Sequence, residues 1–322
     1  MSHRAEGAGT PISDRRAVLK TAAYAATGVS LGCLAGCAAP ARVASSPIVI
    51  DRLSDRLLLF RGAGGNVVAF TGPEGVLMVD GGLAEHTHEL LAAVAGATGG
   101  RPVHTLFNTH WHWEHTGSNE RIRRMGATII AHENTKLWLG APVWEAWQDR
   151  TYPPRPPEAL PTQTFYTSGE MTFGGEPIEY GYLMQAHTDG DIYVYFRNHN
   201  VLVAGGVVTV GRYPVLDYCT GGWIDGMRDA AQQLVTLTND QTRIIPGTGP
   251  VQTRADVTAE HAMLAELRES IWKLMCKGLN ADDILATKAT RTFDAKWGDP
   301  TVFVRNAYQG LYGHARDIRG AV

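Results

Sequence analysis

The chain has 322 residues and an ordinary globular composition, with 44% apolar and 19% charged residues, enough for one large core or two smaller ones. Its formal net charge is −3; without residues 1–37, which hold four basic and two acidic residues, 25 Lys and Arg stand against 30 Asp and Glu, about −5. No dense run of Lys and Arg lies beyond those first residues, which argues against nucleic acid as a partner, because phosphate binding needs concentrated positive charge.

The first forty residues read as an address. Arg15-Arg16-Ala17-Val18-Leu19-Lys20 resembles the twin-arginine export signal, with Val18 where Phe is usual. The Ala/Gly-rich run over 21–35 is too short and too rich in glycine for a membrane span, which needs about 20 apolar residues. Leu34-Ala35-Gly36-Cys37 resembles the lipobox of bacterial lipoproteins, which implies acylation of Cys37 and a membrane-anchored periplasmic product. Simple cleavage over 37–40 is the alternative. Residues 38–47 are small and polar and read as a flexible tether. Of the four cysteines, Cys33 and Cys37 fall in the leader, so Cys219–Cys276 is the one disulfide open to the mature chain in an oxidising compartment.

In the body, apolar runs at 66–70 and 76–79 flank Gly72-Pro73-Glu74-Gly75, a hairpin signal. Helical spacing over 84–97 stops at Gly99-Gly100, and a strand follows at 103–107. A loop over 108–116 leads to a short helix near Ser118 and a strand at 127–131. The Pro- and Trp-rich stretch 140–165 reads as a surface insertion. Strands are expected at 164–167, 177–185, 191–196, 201–204 and 243–245. Helices are expected at 223–238, 254–277, 282–288 and 302–312. Strands followed by helix, twice over, point to an α/β sandwich.

The chemistry concentrates in Thr109-His110-Trp111-His112-Trp113-Glu114-His115, with three histidines and a carboxylate in six residues after an apolar strand. On a loop at a strand end, His110 and His112 point the same way, and a following bend turns Glu114 and His115 toward the same cavity. Imidazole with carboxylate suits zinc or another first-row transition metal.

This stretch resembles the H-x-H-x-D-H signature of the metallo-β-lactamase superfamily. So do Val79-Asp80-Gly81-Gly82, a strand end with a supporting Asp; Ala186-His187-Thr188-Asp189-Gly190-Asp191, the source of a third His; and Pro246-Gly247-Thr248-Gly249-Pro250, where P-G-H-G-P is usual. The resemblance covers residues 48–252, with 253–322 as a helical extension, and implies a four-layer αββα sandwich with metals at one edge of the paired sheets. It also implies that His110, His112 and His187 hold the first metal. In the second site Glu114 replaces the usual Asp and His115 matches. Gly206, in Leu202-Val203-Ala204-Gly205-Gly206-Val207, takes the place of the bridging Asp, and Thr248 that of the final His. One tightly bound zinc and a weak or absent second site are therefore expected, and Gly206→Asp with Thr248→His is expected to restore the second. Asp80 and Asp191 are read as carboxylates bracing the ligands.

The function implied is hydrolysis of an ester, lactone or amide in a small-molecule substrate by metal-activated water, with Glu114 either taking a proton or bracing a histidine. β-Lactamase-like activity is a variant of that reading. A ligand- or partner-binding relative without catalysis is the alternative, favoured by the missing Asp and His. Iron-based redox chemistry of the persulfide dioxygenase kind is disfavoured by Gly206. Asp217 and Cys219 are either stand-in ligands or part of the cavity rim. His132 and His199 read as packing or surface histidines, Trp111 and Trp113 as pocket wall or loop packing, and Trp138, Trp144 and Trp147 as a lid or plain packing.

Overall fold

The computed structural model describes residues 47–320, with side chains to 315; Arg15, Arg16 and Cys37 lie outside the described residues. The first sheet starts with β1 (Val49–Arg52), β2 (Leu57–Arg61), β3 (Val67–Gly72) and β4 (Gly75–Val79), all antiparallel. After α1 (Thr87–Ala97) it continues in parallel through β5 (Val103–Phe107). Two short helices, α2 (Trp113–Thr116) and α3 (Asn119–Arg124), lead to β6 (Thr128–His132). Next come α4 (Glu133–Gly140) and a separate hairpin, β7 (Val143–Glu145) with β8 (Arg150–Tyr152). β9 (Gln163–Phe165) then closes the first sheet beside β6.

The second sheet has β10 (Ser168–Phe173), β11 (Glu176–Tyr182), β12 (Ile192–Phe196) and β13 (Val201–Gly205), antiparallel in turn. After α5 (Ile224–Leu237), β14 (Arg243–Pro246) lies parallel to β13. The chain ends in α6 (Arg254–Cys276), α7 (Ala281–Ala286), α8 (Arg291–Trp297) and α9 (Thr301–Gly320).

Strand periodicity explains the layers. Leu57, Leu59, Val68, Phe70, Leu77 and Val79 face Phe173, Ile178, Val194, Phe196 and Val203 across the two sheets. Their alternates Leu58, Phe60, Val67 and Met78 pack outward on Leu90 and Val94 of α1. On the far side Tyr193, Tyr195, Leu202 and Ile244 meet α5, α6 and α9. With both faces of each sheet covered, the central strands read as continuous apolar runs. The result is the expected four-layer αββα sandwich. The helices after residue 253 belong to this outer layer, and a capping box of Thr253 with Asp256 starts α6.

Topology places the site. β4 and β5 run parallel, as do β13 and β14, so their C-terminal ends share an edge with the β11–β12 loop. Strands β1, β2 and β10 and helix α8 lie where no element is expected from sequence. β1 and β10 carry exposed and polar positions at a sheet edge, which blurs the apolar signal. The 177–185 run is strand only to Tyr182. The insertion is not structureless: it holds the β7–β8 hairpin, and Val143 and Tyr152 pack with Trp111 and Leu139. Cys219 and Cys276 are both free, so the disulfide left open by sequence is not formed.

Candidate metal centre

Past β5 the chain stays extended enough for side chains to alternate. Thr109 and Trp111 turn away, to Asp80 and Asp217, while His110 and His112 enter the cavity. The alternation ends at α2, whose single turn swings Glu114 and His115 to the same cavity. His187 comes from the β11–β12 loop. One ring nitrogen each from His110, His112 and His187 lies within 4.8 Å of the others, and all three residues are buried.

Outer hydrogen bonds fix which nitrogen of each ring is left over. The Thr109 hydroxyl donates to Asp80 Oδ2 (2.8 Å) and so accepts from His110 Nδ1 (3.0 Å). His112 Nε2 donates to Asp217 Oδ2 (3.2 Å), and His187 Nδ1 donates to the Val215 carbonyl (2.7 Å). His112 Nδ1 and His187 Nε2 then face each other at 3.0 Å, and with both rings neutral no hydrogen lies between them. Burial, with the neighbouring imidazoles, holds His110 well below the usual histidine range; burial and then His112 lower His187 to about 3. Three imidazoles, each with one nitrogen committed outward and the other turned inward, fit a metal cation.

His115 is different. Burial opposes its charged form, but Asp80, which accepts from Nδ1 at 2.8 Å, outweighs burial and raises its pKa. Asp80 also accepts from Thr109 N (2.8 Å) and sits at φ 65, a left-handed conformation uncommon outside glycine. It thus braces both His110, through Thr109, and His115. Asp191 accepts from Thr188 N (2.6 Å) and braces the turn after His187.

Gly206 and Thr248 both line the cavity, and neither offers an imidazole or a carboxylate. A Cβ at 206 would overlap the His187 imidazole, so the restoring Gly206→Asp expected from sequence has no room on this backbone. Arg212 lines the same wall and donates to Thr248 Oγ1 (3.4 Å). A cation there opposes a second metal near His115. No group of three ligands containing His115 forms among the described residues. Glu114 reaches the cavity with its side chain 43% exposed and Oε1 4.0 Å from His112 Nδ1. Burial works against its charge, but His112 and His115 outweigh that and keep it ionised.

The cavity measures about 290 Å³, at the small end for ligand pockets. Trp147, Gln148 and Tyr152 of the hairpin region form one wall, so of the expected lid tryptophans Trp147 reaches the cavity. Trp138 instead donates to Asp189 (2.5 Å), and Trp144 is exposed. His132 stacks on Tyr182, and His199 lies against Glu176 and Phe70.

Asp217 is neither rim nor cavity wall. It is fully buried behind His112, accepting also from Trp111 Nε1 (3.3 Å) and the Thr220 hydroxyl. Beside it lies Glu145 of β7, likewise fully buried. Burial and then the Asp217 charge push Glu145 up to about 9. Cys219 is half-buried and lines no part of the cavity. Sequence reading missed both Glu145 and Arg212. A lone Glu between two tryptophans carries no signal, and Arg212 becomes visible once the Gly211–Pro214 turn is known to border the cavity.

The sequence profile described as "Metallo-beta-lactamase superfamily" matches residues 61–249. Among solved structures, a metallo-beta-lactamase from Pontibacter korlensis superposes with a TM-score of 0.55 at 20% identity, covering 68% of this chain and 99% of that one. The inverting sec-alkylsulfatase Pisa1 from Pseudomonas sp. gives a TM-score of 0.65 at 16% identity, over 81% of this chain and 50% of that one. DIM-1 metallo-beta-lactamase gives 0.54 at 18% identity, over 68% and 98%. At these identities the structural likeness shows the fold alone.

Proposed function

Because the chain belongs to the metallo-beta-lactamase superfamily, we propose that it is a hydrolase that holds one zinc ion tightly on His110, His112 and His187. The observation that carries this reading is the 3.0 Å approach of His112 Nδ1 to His187 Nε2 with both outer nitrogens already committed. A zinc ion there would supply Lewis acidity, bringing a bound water to a pKa of about 7. Glu114, ionised and at the cavity, takes up or orients a proton of the attacking water. Asp217, Val215 and Thr109 hold the three imidazoles in one tautomer each. A second zinc finds no support at Gly206 and Thr248, and Arg212 supplies positive charge on that side of the cavity.

The substrate class that suits this cavity is a small ester, lactone or amide, and Arg212 favours one that carries an anionic group. Metal-loaded protein should be tested on paired neutral and carboxylated aryl esters, on lactones and β-lactams, and on sec-alkyl sulfates, the last two because of the folds it shares. Turnover that His187→Ala removes together with the zinc supports the reading. Tight zinc binding with no turnover on any of them supports the alternative of a binding protein without catalysis. From the leader sequence alone, we also propose export by the twin-arginine route and anchoring through an acylated Cys37.

A further inference from the structure

We propose that Glu145 is a positioning residue of the metal centre: through Asp217 it ties the β7–β8 hairpin to His112, so that one wall of the cavity and the pose of one metal ligand are set together. The proposal rests on the reading of His110, His112 and His187 as the ligand set.

Two fully buried carboxyls stand side by side here, and their surroundings differ. Asp217 is rich in donors: Oδ2 accepts from His112 Nε2 (3.2 Å), Trp111 Nε1 (3.3 Å) and the Thr220 hydroxyl, and Oδ1 accepts from Thr220 N (3.2 Å). Neither Glu145 oxygen accepts a hydrogen bond of good geometry, and the one donor near it, the Trp147 indole N–H, is itself without a partner. An oxygen of Glu145 lies within 4.8 Å of one of Asp217, the acceptor open to it as a carboxylic acid. Two adjacent buried carboxyls do not both ionise readily, and the one poorer in donors keeps the proton. The Glu145 hydroxyl therefore donates to Asp217, and Asp217 in turn accepts from His112 Nε2–H. That bond leaves Nδ1 as the lone pair aimed at the metal.

The chain of contacts begins on the hairpin. β7 and β8 form a two-stranded unit outside both main sheets. Glu145 pairs with Arg150 across it, and the residues between and after them bring Trp147, Gln148 and Tyr152 to the cavity. An apolar side chain at 145 would close the hairpin equally well by burial. A carboxyl there is explained by what it does to Asp217. Loss of such an outer partner lowers metal affinity by about 10–100-fold.

The test uses Glu145→Gln and Glu145→Met in the full chain. The two side chains are close in volume, but only Gln donates to Asp217. Zinc affinity by chelator competition, the visible spectrum of the cobalt(II)-loaded protein and the melting temperature of the metal-free protein are measured together. E145Q is expected within about threefold of the parent in zinc affinity, with the parental cobalt spectrum; E145M is expected to bind at least about tenfold more weakly, with an altered spectrum. In the metal-free protein, histidine ¹⁵N shifts are expected to report His112 as the Nε2–H tautomer in the parent and E145Q, and as a mixture in E145M. A change in melting temperature alone, with affinity, spectrum and tautomer unmoved in E145M, overturns the proposal and leaves Glu145 as packing. A second zinc in the parent that E145M removes also overturns it, because Glu145 would then be a ligand. A parent that binds no zinc refutes the proposed ligand set, and the tautomer measurement then decides whether Glu145 still orients His112.

Discussion

His187 is held on three sides: its Nδ1 by the Val215 carbonyl, its ring by T-shaped contacts with His110 and His112, and its Cδ2 edge by the backbone at Gly206. The absence of a side chain at 206 thus leaves room for the His187 imidazole. Gly206→Ala is expected to weaken zinc binding at least about tenfold by displacing His187, and Gly206→Asp with Thr248→His is expected to add no second equivalent; side-by-side zinc titrations read both. Glu260 offers a residue-scale test away from the metal. It is buried on α6, accepts from the Thr209 hydroxyl (2.6 Å), and burial pushes its pKa up from 4.5 to about 8. The unfolded chain gives up that proton near pH 4.5 and the folded chain near 8, so the group's contribution to stability erodes as pH rises between those values and is flat above them. Glu260→Gln is expected to melt higher than the parent at pH 8 by more than it does at pH 5. An equal difference at both pH values would show that Glu260 titrates normally.

Among the elements, the 108–116 loop was the most legible in sequence, because its ligands are adjacent and the strand before it is plainly apolar. His187 was legible through its motif, and Gly206 and Thr248, read at the second-site positions, line the same cavity. The hairpin was not. β7 and β8 have three residues each, too few for a periodic signal, and prolines crowd the sequence after them. The contact from Glu145 to Asp217 spans two elements far apart in the chain, and only the fold brings them together. Asp217 itself was visible as a candidate, but its role was not: it serves His112 from behind. Asp217→Asn keeps the shape and exchanges an acceptor pair for a donor and an acceptor. It is expected to lower zinc affinity by about 10–100-fold, while the metal-free protein still folds, which circular dichroism checks.

At the scale of the whole molecule, two sheets covered by helices on both sides present one edge where all the ligand loops meet. That architecture followed from the sequence pattern and the motifs together, since an apolar run alone does not say which sheet a strand joins. Among the described residues no helix is long and apolar enough to cross a membrane. Cys37→Ser is expected to release the protein from the membrane fraction or block its processing, and Arg15→Lys with Arg16→Lys is expected to strand it in the cytoplasm. A soluble periplasmic product from the unaltered gene would reject the anchor and leave export standing. The central proposal is a single firm metal site on His110, His112 and His187, the convergent histidine group of the cavity, with no second ligand set at Gly206 and Thr248. It is tested most directly by the zinc content of the gently purified protein and of its His187→Ala variant. One equivalent per chain, falling close to zero in the variant, is the result expected; two firmly held equivalents, or zinc that survives the loss of His187, would contradict it.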